Sequence, residues 1–208
     1  MSKSRLVFRL IIGAALLVPP AVTRAQGQIG AIVGATFSTL RGVDDLDSRT
    51  GLLGGLALVL PTSGPLGLEI DGLFVSKGAK GTNTGPDGLK LDYVEVPVLL
   101  RLSLAPGLPV SPHVYAGPYL GYQIRCKVQG TSADCDDVPG ISTKTVDIGG
   151  TAGGGVNVAL GGMILTGGLR YSFGVSKVAD FDVGTVNESA KNGTFAVYAG
   201  LGFRLGSR

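Results

Sequence analysis

Eight charged residues fall on one face of strand-like segments, and their types and spacing could do chemistry. Both signs are present, so the side chains could neutralise one another in a salt-bridge network or line a charge-selective pore. Isolated charges in a narrow interior are costly, and we therefore expect them to pair. These residues are Glu69, Asp71, Glu95, Arg101, Arg125, Asp147, Arg170 and Arg204.

The groups needed for catalysis are scarce. His113 is the only histidine, and it opens a predicted strand without the serine and acid partners that a catalytic triad requires. The GGTAGGG run at residues 149–155 lacks the lysine and following helix of a phosphate-binding loop, so we expect it to provide curvature and close packing. The sequence therefore predicts a non-enzymatic protein without a cofactor.

Eight segments of alternating apolar and small or polar residues must position these charges. In the third segment, Leu66, Leu68 and Ile70 face one way while Glu69 and Asp71 face the other, which is the period of a β-strand. The second segment is apolar on both faces, so the pattern does not fix its register. The predicted strands are residues 28–39, 50–60, 66–77, 89–104, 113–127, 145–160, 163–178 and 193–205.

The connections between these strands are long at residues 40–49, 78–88, 126–144 and 179–192, and shorter at 61–65, 105–112 and 161–162. Long loops on one rim and short turns on the other are typical of outer-membrane barrels, in which the long loops lie outside the cell. A bilayer also requires that all backbone hydrogen bonds be satisfied internally. We therefore predict an all-β fold, an eight-stranded antiparallel up-and-down transmembrane β-barrel.

Residues 1–25 have the organisation of a cleavable signal peptide. Lys3, Arg5 and Arg9 precede an apolar core at residues 10–18, and small residues lead to a cleavage site after Ala25. Cleavage leaves a barrel domain at residues 26–208. It removes four of the 18 basic residues and none of the 15 acidic ones, so the mature chain has a net charge of −1 and predicts no nucleic-acid partner.

Cys126 and Cys135 are the only cysteines, and in an oxidising compartment we expect them to form a disulfide. The alternative is a metal site with the neighbouring Asp134, Asp136 and Asp137, but two thiols without a histidine make a poor zinc set. A second acidic group in the first long loop could bind calcium loosely, although a solvated loop is the preferred interpretation. That group is Asp44, Asp45 and Asp47.

An eight-stranded barrel encloses little more than its own side chains, so the charged residues are expected to fill its interior rather than line a channel.

The tyrosines are predicted to lie in two kinds of position. Tyr115 and Tyr171 are candidates for the aromatic girdles at the membrane interfaces, whereas strand parity assigns Tyr119 and Tyr198 to the interior.

Five stretches in sequence order resemble the small outer-membrane β-barrel proteins known as the porin family. They are YVEVPVLLRL (93–102), YAGPYLGYQI (115–124), DIGGTAGGGV (147–156), GLRYSFGVSKV (168–178) and FAVYAGLGFRL (195–205). The chain departs from the family pattern by ending in Gly206-Ser207-Arg208 instead of the terminal aromatic residue that family members present to their assembly machinery. Phe203 or Leu205 would serve in place of that residue. The resemblance implies a cell outer-membrane location in a Gram-negative bacterium, contacts with outer-membrane lipid and lipopolysaccharide, use of the barrel-assembly machinery and a monomeric state.

The favoured function is a structural, adhesion or surface-interaction role carried by the extracellular loops. One alternative is a narrow porin-like channel for small solutes. Another is a soluble lipocalin-like barrel that binds an apolar ligand, which would need the apolar phase of the strands to face inward.

Overall fold

The computed structural model describes residues 27–41, 46–62, 64–81, 89–128, 135, 141–143, 145–176, 179–183 and 186–205. These residues form ten β-strands. They are β1 (Gln28–Arg41), β2 (Leu46–Pro61), β3 (Leu66–Gly81), β4 (Leu89–Ser103), β5 (Val110–Val128), β6 (Ile141–Thr143), β7 (Val146–Leu160), β8 (Met163–Gly174), β9 (Ala179–Val183) and β10 (Val186–Arg204).

Eight of these strands close into a barrel in which every neighbouring pair is antiparallel. The order is β1-β2-β3-β4-β5-β7-β8-β10, and β10 then pairs with β1 from Gln28 opposite Arg204 to Arg41 opposite Lys191. The predicted eight-stranded up-and-down barrel is confirmed. Both ends of the barrel chain lie on the rim with the short connections, which is the periplasmic end in outer-membrane barrels.

Strands β6 and β9 lie within segments predicted to be loops, and there the prediction is wrong. Residues 186–190 of β10 extend past β1 and pair with β9, and β9 pairs with β6. The run ADFDV in β9 alternates apolar and acidic residues, which is itself a strand pattern, and the length of a connection does not exclude a hairpin within it. Strand β10 begins seven residues before its predicted start at 193, and the other strand ends agree with the prediction to within four residues.

The two faces of the barrel wall have opposite character, as β4 illustrates. Tyr93, Glu95 and Leu99 point inward and are buried, whereas the alternate residues Val94 and Leu100 point outward and are exposed. The same pattern recurs around the barrel, so the outer wall is apolar and the interior carries the charges. The lipocalin-like alternative is therefore wrong, because it requires the apolar face inside. No helix in the described ranges is long and apolar enough to cross a membrane.

Candidate functional site

The lower half of the barrel interior holds two acids and two arginines, which we call the periplasmic charge cluster: Glu69, Asp71, Arg101 and Arg170. Arg101 Nη1 donates to Glu69 Oε2 at 2.5 Å, and Arg170 Nη2 donates to Asp71 Oδ2 at 2.5 Å. Arg170 Nη2 also lies 3.7 Å from Glu69 Oε1. All four side chains are buried, so these are charge-assisted contacts in a region shielded from water.

Two tyrosines surround the guanidinium group of Arg170. Its Cζ lies 5.3 Å from the ring centroid of Tyr115 and 5.7 Å from that of Tyr198, which are cation–π distances. Its Nε donates to the Tyr115 hydroxyl at 3.4 Å, and the two tyrosine hydroxyls are 3.1 Å apart. Arg170 is thereby held by ionic, hydrogen-bond and aromatic contacts together.

The upper half of the interior holds the extracellular charge cluster of Lys77, Glu95 and Asp147. Lys77 is fully buried and forms ion pairs with Glu95 and, at 3.1 Å, with Asp147 Oδ2. The same Asp147 oxygen accepts hydrogen bonds from the Tyr119 hydroxyl at 3.0 Å and from Asn192 Nδ2 at 2.8 Å. Several donors thus compensate for the burial of this carboxylate.

Lys77 is absent from the set of eight charges that the sequence analysis singled out as an interior network. Its position has the same parity as Glu69 and Asp71 on β3, so the alternation of that strand carries the signal for it.

A layer of apolar side chains separates the two charge clusters. Along β3, Leu73 and Val75 point inward between Asp71 and Lys77, and both are buried. They pack with Leu53 and Leu99 in the central apolar cluster of the barrel. Along β3 and β4 the interior is therefore stacked as charges, apolar side chains and charges. On β7 and β8 the buried hydroxyls of Thr151 and Ser172, which are 2.9 Å apart, lie between Asp147 and Arg170.

Glycines make room for the interior tyrosines. Tyr115 lies opposite Gly153 of β7, and Tyr198 lies opposite Gly168 of β8. A Cβ atom on either glycine would come within 2.6 Å of the facing tyrosine side chain. The glycine-rich run in β7 therefore provides the close packing predicted from the sequence.

The periplasmic end of the interior opens into a small cavity. Glu69 and Arg101 form its inner wall together with Tyr198, Asn157 and Thr166. The Thr166 hydroxyl donates to Asn157 Oδ1 at 2.9 Å. The cavity, which we call the periplasmic vestibule, thus reaches the periplasmic charge cluster through a mostly apolar lining.

Residues 24–180 match the family model described as "Outer membrane protein beta-barrel domain". The chain belongs to this family. It is accordingly an outer-membrane barrel protein, located in the cell outer membrane, and the family resemblance inferred from its sequence is confirmed.

Solved structures support the fold. Neisserial surface protein A is 17% identical, with 86% of this chain and 97% of that chain covered and a TM-score of 0.55. A major outer membrane protein from Thermus thermophilus is 16% identical, with 86% and 99% covered and a TM-score of 0.55. No curated protein sequence matches the chain significantly.

Two of the eight charges predicted in the interior of this outer-membrane barrel lie elsewhere. The Arg125 side chain is 58% exposed, and its Nη1 lies 3.8 Å from Asp92 Oδ2. In the backbone register of β4 and β5, Arg125 lies opposite Asp92 and Gln123 lies opposite Tyr93, so Ile124 has no partner and forms a bulge in β5. The bulge reverses which side chains of β5 point inward and outward beyond it. Arg204 is exposed because it is the last residue of β10, at the open rim.

The tyrosines divide between the two faces. Tyr119 and Tyr198 are interior, in agreement with their parity, but Tyr115 is buried in the interior and its assignment to a girdle is wrong. It shares the parity of Tyr119, four residues along the same strand. Tyr171 faces outward, with its ring centroid 6.4 Å from that of Phe173, in agreement with a position in a girdle.

Cys126 and Cys135 form a disulfide, and Cys135 is buried. Cys126 lies opposite Leu91, whose side chain is buried inside the extracellular end of the barrel. The bond therefore holds Cys135 at the mouth of the barrel. The acidic residues proposed as metal ligands lie outside the described residues apart from Asp47, and the described residues contain no metal-binding group of three or more candidate ligands.

His113 is buried at the periplasmic end, where its ring stacks on Tyr115 with a centroid distance of 6.0 Å. Within the described ranges, no side-chain hydrogen bond joins it to a serine or an acid. Its contacts are those of a packing residue.

Proposed function

We propose that this protein is a sealed, non-enzymatic scaffold whose structural or surface-interaction role is carried by its extracellular segments. The observation that supports this proposal best is the stacking of the interior. An ion or solute crossing the barrel would have to break the buried ion pairs of Arg101 and Arg170, pass the apolar layer at Leu73, and then displace Lys77 from its partners.

The charge balance of the periplasmic charge cluster also favours a structural network. Glu69 and Asp71 are neutralised by Arg101 and Arg170, so the periplasmic charge cluster has no excess of one sign. A charge-selective pore needs such an excess along its path. Balanced, directly paired charges instead join β3, β4 and β8 across the interior.

The extracellular side has the architecture of an interaction surface. Strand β10 continues beyond the barrel to Val186 and carries β9 and β6, while the disulfide of Cys126 holds Cys135 at the mouth. Loops supported by a rigid barrel are where binding residues are concentrated. We infer that a partner of this protein binds there.

Single-channel conductance of the mature chain, residues 26–208, in planar bilayers tests the sealed interior. Insertion is verified by the heat-dependent shift in gel mobility that folded barrels show. We expect no conductance steps from inserted protein. Reproducible steps whose ion selectivity changes in Arg101→Gln or Arg170→Gln would contradict the proposal.

The second candidate is a narrow channel for small solutes, and the periplasmic vestibule is the observation that favours it. Its lining includes Glu69 and Arg101 of the periplasmic charge cluster. Conduction would then require only the apolar layer and the extracellular charge cluster to part. This candidate predicts small steps in the unaltered protein.

A further inference from the structure

The outer wall of β4 marks the height of the membrane. Its outward residues, with Leu104 directly after it, are apolar at alternate positions from 94 to 104, ten residue steps that span about 33 Å at the usual rise per residue. At a typical tilt of about 40° this run is about 25 Å tall, which equals the apolar band of outer-membrane barrels. These residues are Val94, Val96, Val98, Leu100, Leu102 and Leu104.

Above this band, beyond Asp92, the outer wall carries three basic residues that we call the basic patch: Lys90, Arg125 and Lys127. Asp92 lies on the same face as Lys90, and its Oδ2 is 3.8 Å from Arg125 Nη1. Leu91 points into the barrel and is fully buried, so its neighbour Lys90 points outward. Leu91 pairs with Cys126, and the residues on either side of Cys126 are Arg125 and Lys127. The three basic side chains therefore share one outward face of two adjacent strands.

The register brings two like charges together in this patch. Lys90 lies directly opposite Lys127, so their Cβ atoms are separated by about 5 Å. Like charges directly opposite each other destabilise a sheet. Within the described ranges, neither lysine has a carboxylate at ion-pair distance. The nearby Asp92 is engaged by Ser76 Oγ at 2.5 Å and by Arg125 Nη1 at 3.8 Å, so among the described residues the two lysines are the members of the patch without a counter-charge.

We propose that the basic patch binds the phosphate group of an anionic lipid of the outer leaflet. A phosphate between Lys90 and Lys127 would relieve their repulsion, and the guanidinium of Arg125 can bind phosphate oxygens in a bidentate manner. Ile124 and Tyr122 are exposed on the same wall, towards the membrane, where acyl chains would lie. This apolar surface favours a lipid over free phosphate. The inference depends on the membrane location of the barrel and not on its sealed interior.

The test is native mass spectrometry of the mature chain in a neutral detergent, titrated with phosphorylated lipid A. The double variant Lys90→Gln/Lys127→Gln should bind about thirtyfold more weakly, because each lysine near an anionic lipid surface contributes about a fivefold gain in affinity. The matched control is Arg204→Gln, which removes an exposed charge at the opposite rim and should bind as the unaltered protein does. Equal affinities of the double variant and the control would overturn the proposal.

Two further arms keep the test decisive. Lys90→Arg/Lys127→Arg preserves the charges and should restore binding, whereas a loss equal to that of the glutamine variant would contradict a phosphate site. If the double variant does not fold, as judged by heat-dependent gel mobility, Arg125→Gln alone should weaken binding about fivefold. Inorganic phosphate at millimolar concentration should not displace the lipid, and full displacement would indicate a site for free phosphate instead.

Discussion

Arg170 joins more partners than any other charge in the periplasmic cluster. Its guanidinium contacts two carboxylates of β3 and the rings of Tyr115 on β5 and Tyr198 on β10. Arg170 therefore connects its own strand, β8, with three other strands across the interior. Removal of one partner from a buried ion pair leaves the other charge without compensation. The stability of the barrel should therefore depend on this residue far more than on an exposed arginine.

Replacement of Arg170 by methionine, which has a side chain of similar length, should lower the free energy of unfolding by about 3 to 5 kcal/mol. Arg125→Met is the control, because that side chain is 58% exposed and its pair with Asp92 should contribute less than about 1 kcal/mol. Urea unfolding of both variants in lipid vesicles measures the difference. Equal losses would show that the interior network does not stabilise the fold.

Gly153→Ala should destabilise the barrel by about 1 to 3 kcal/mol, since overpacking a filled interior forces neighbouring atoms to move. A Cβ atom there would lie 2.4 Å from the Leu169 carbonyl oxygen and 2.6 Å from the Tyr115 hydroxyl. Gly167→Ala on the neighbouring strand is the control, because a Cβ atom there would meet no heavy atom within 4 Å. The same unfolding assay distinguishes them, and a neutral Gly153→Ala would mean that Tyr115 does not lie against β7.

At the scale of the elements, sequence alternation predicted the strands well where one face is apolar and the other charged, as in β3 and β8. It could not predict the bulge at Ile124, because an extra residue leaves no mark in the sequence but reverses every side chain beyond it. Arg125 was therefore wrongly assigned to the interior. The strands β6 and β9 were missed because they lie within long connections, although ADFDV in β9 has a strand pattern. Their place is defined by the pairing of β9 with β10 and of β6 with β9.

Replacement of both Cys126 and Cys135 by serine should loosen the segment after β5 without unfolding the barrel. The disulfide closes a short loop, for which chain entropy gives about 2 to 3 kcal/mol, and most of that should act on the loop. We expect faster protease cleavage between positions 128 and 140 with an unchanged heat-dependent gel shift. Loss of the gel shift would instead show that the disulfide holds the barrel together.

At the scale of the whole molecule, the outer wall and the interior of the barrel have opposite character, and each sets a physical requirement. An apolar outer wall requires a bilayer, and a charged interior requires close pairing inside a space that eight strands leave almost filled. Both surfaces could be predicted from the sequence, because the alternation of apolar and polar residues is visible within each strand. Pairing partners such as Arg170 and Asp71, which are 99 residues apart, depend on closure of the barrel and could not be predicted.

The most direct test of the sealed interior is the accessibility of a thiol placed in the apolar layer. Val75→Cys puts it between the two charge clusters, and Leu108→Cys puts it on an exposed periplasmic turn as a positive control. Both variants are inserted in lipid vesicles and treated with a small cationic thiol reagent. We predict that Leu108→Cys is labelled rapidly and that Val75→Cys stays unlabelled, whereas labelling of both at similar rates would contradict a sealed barrel.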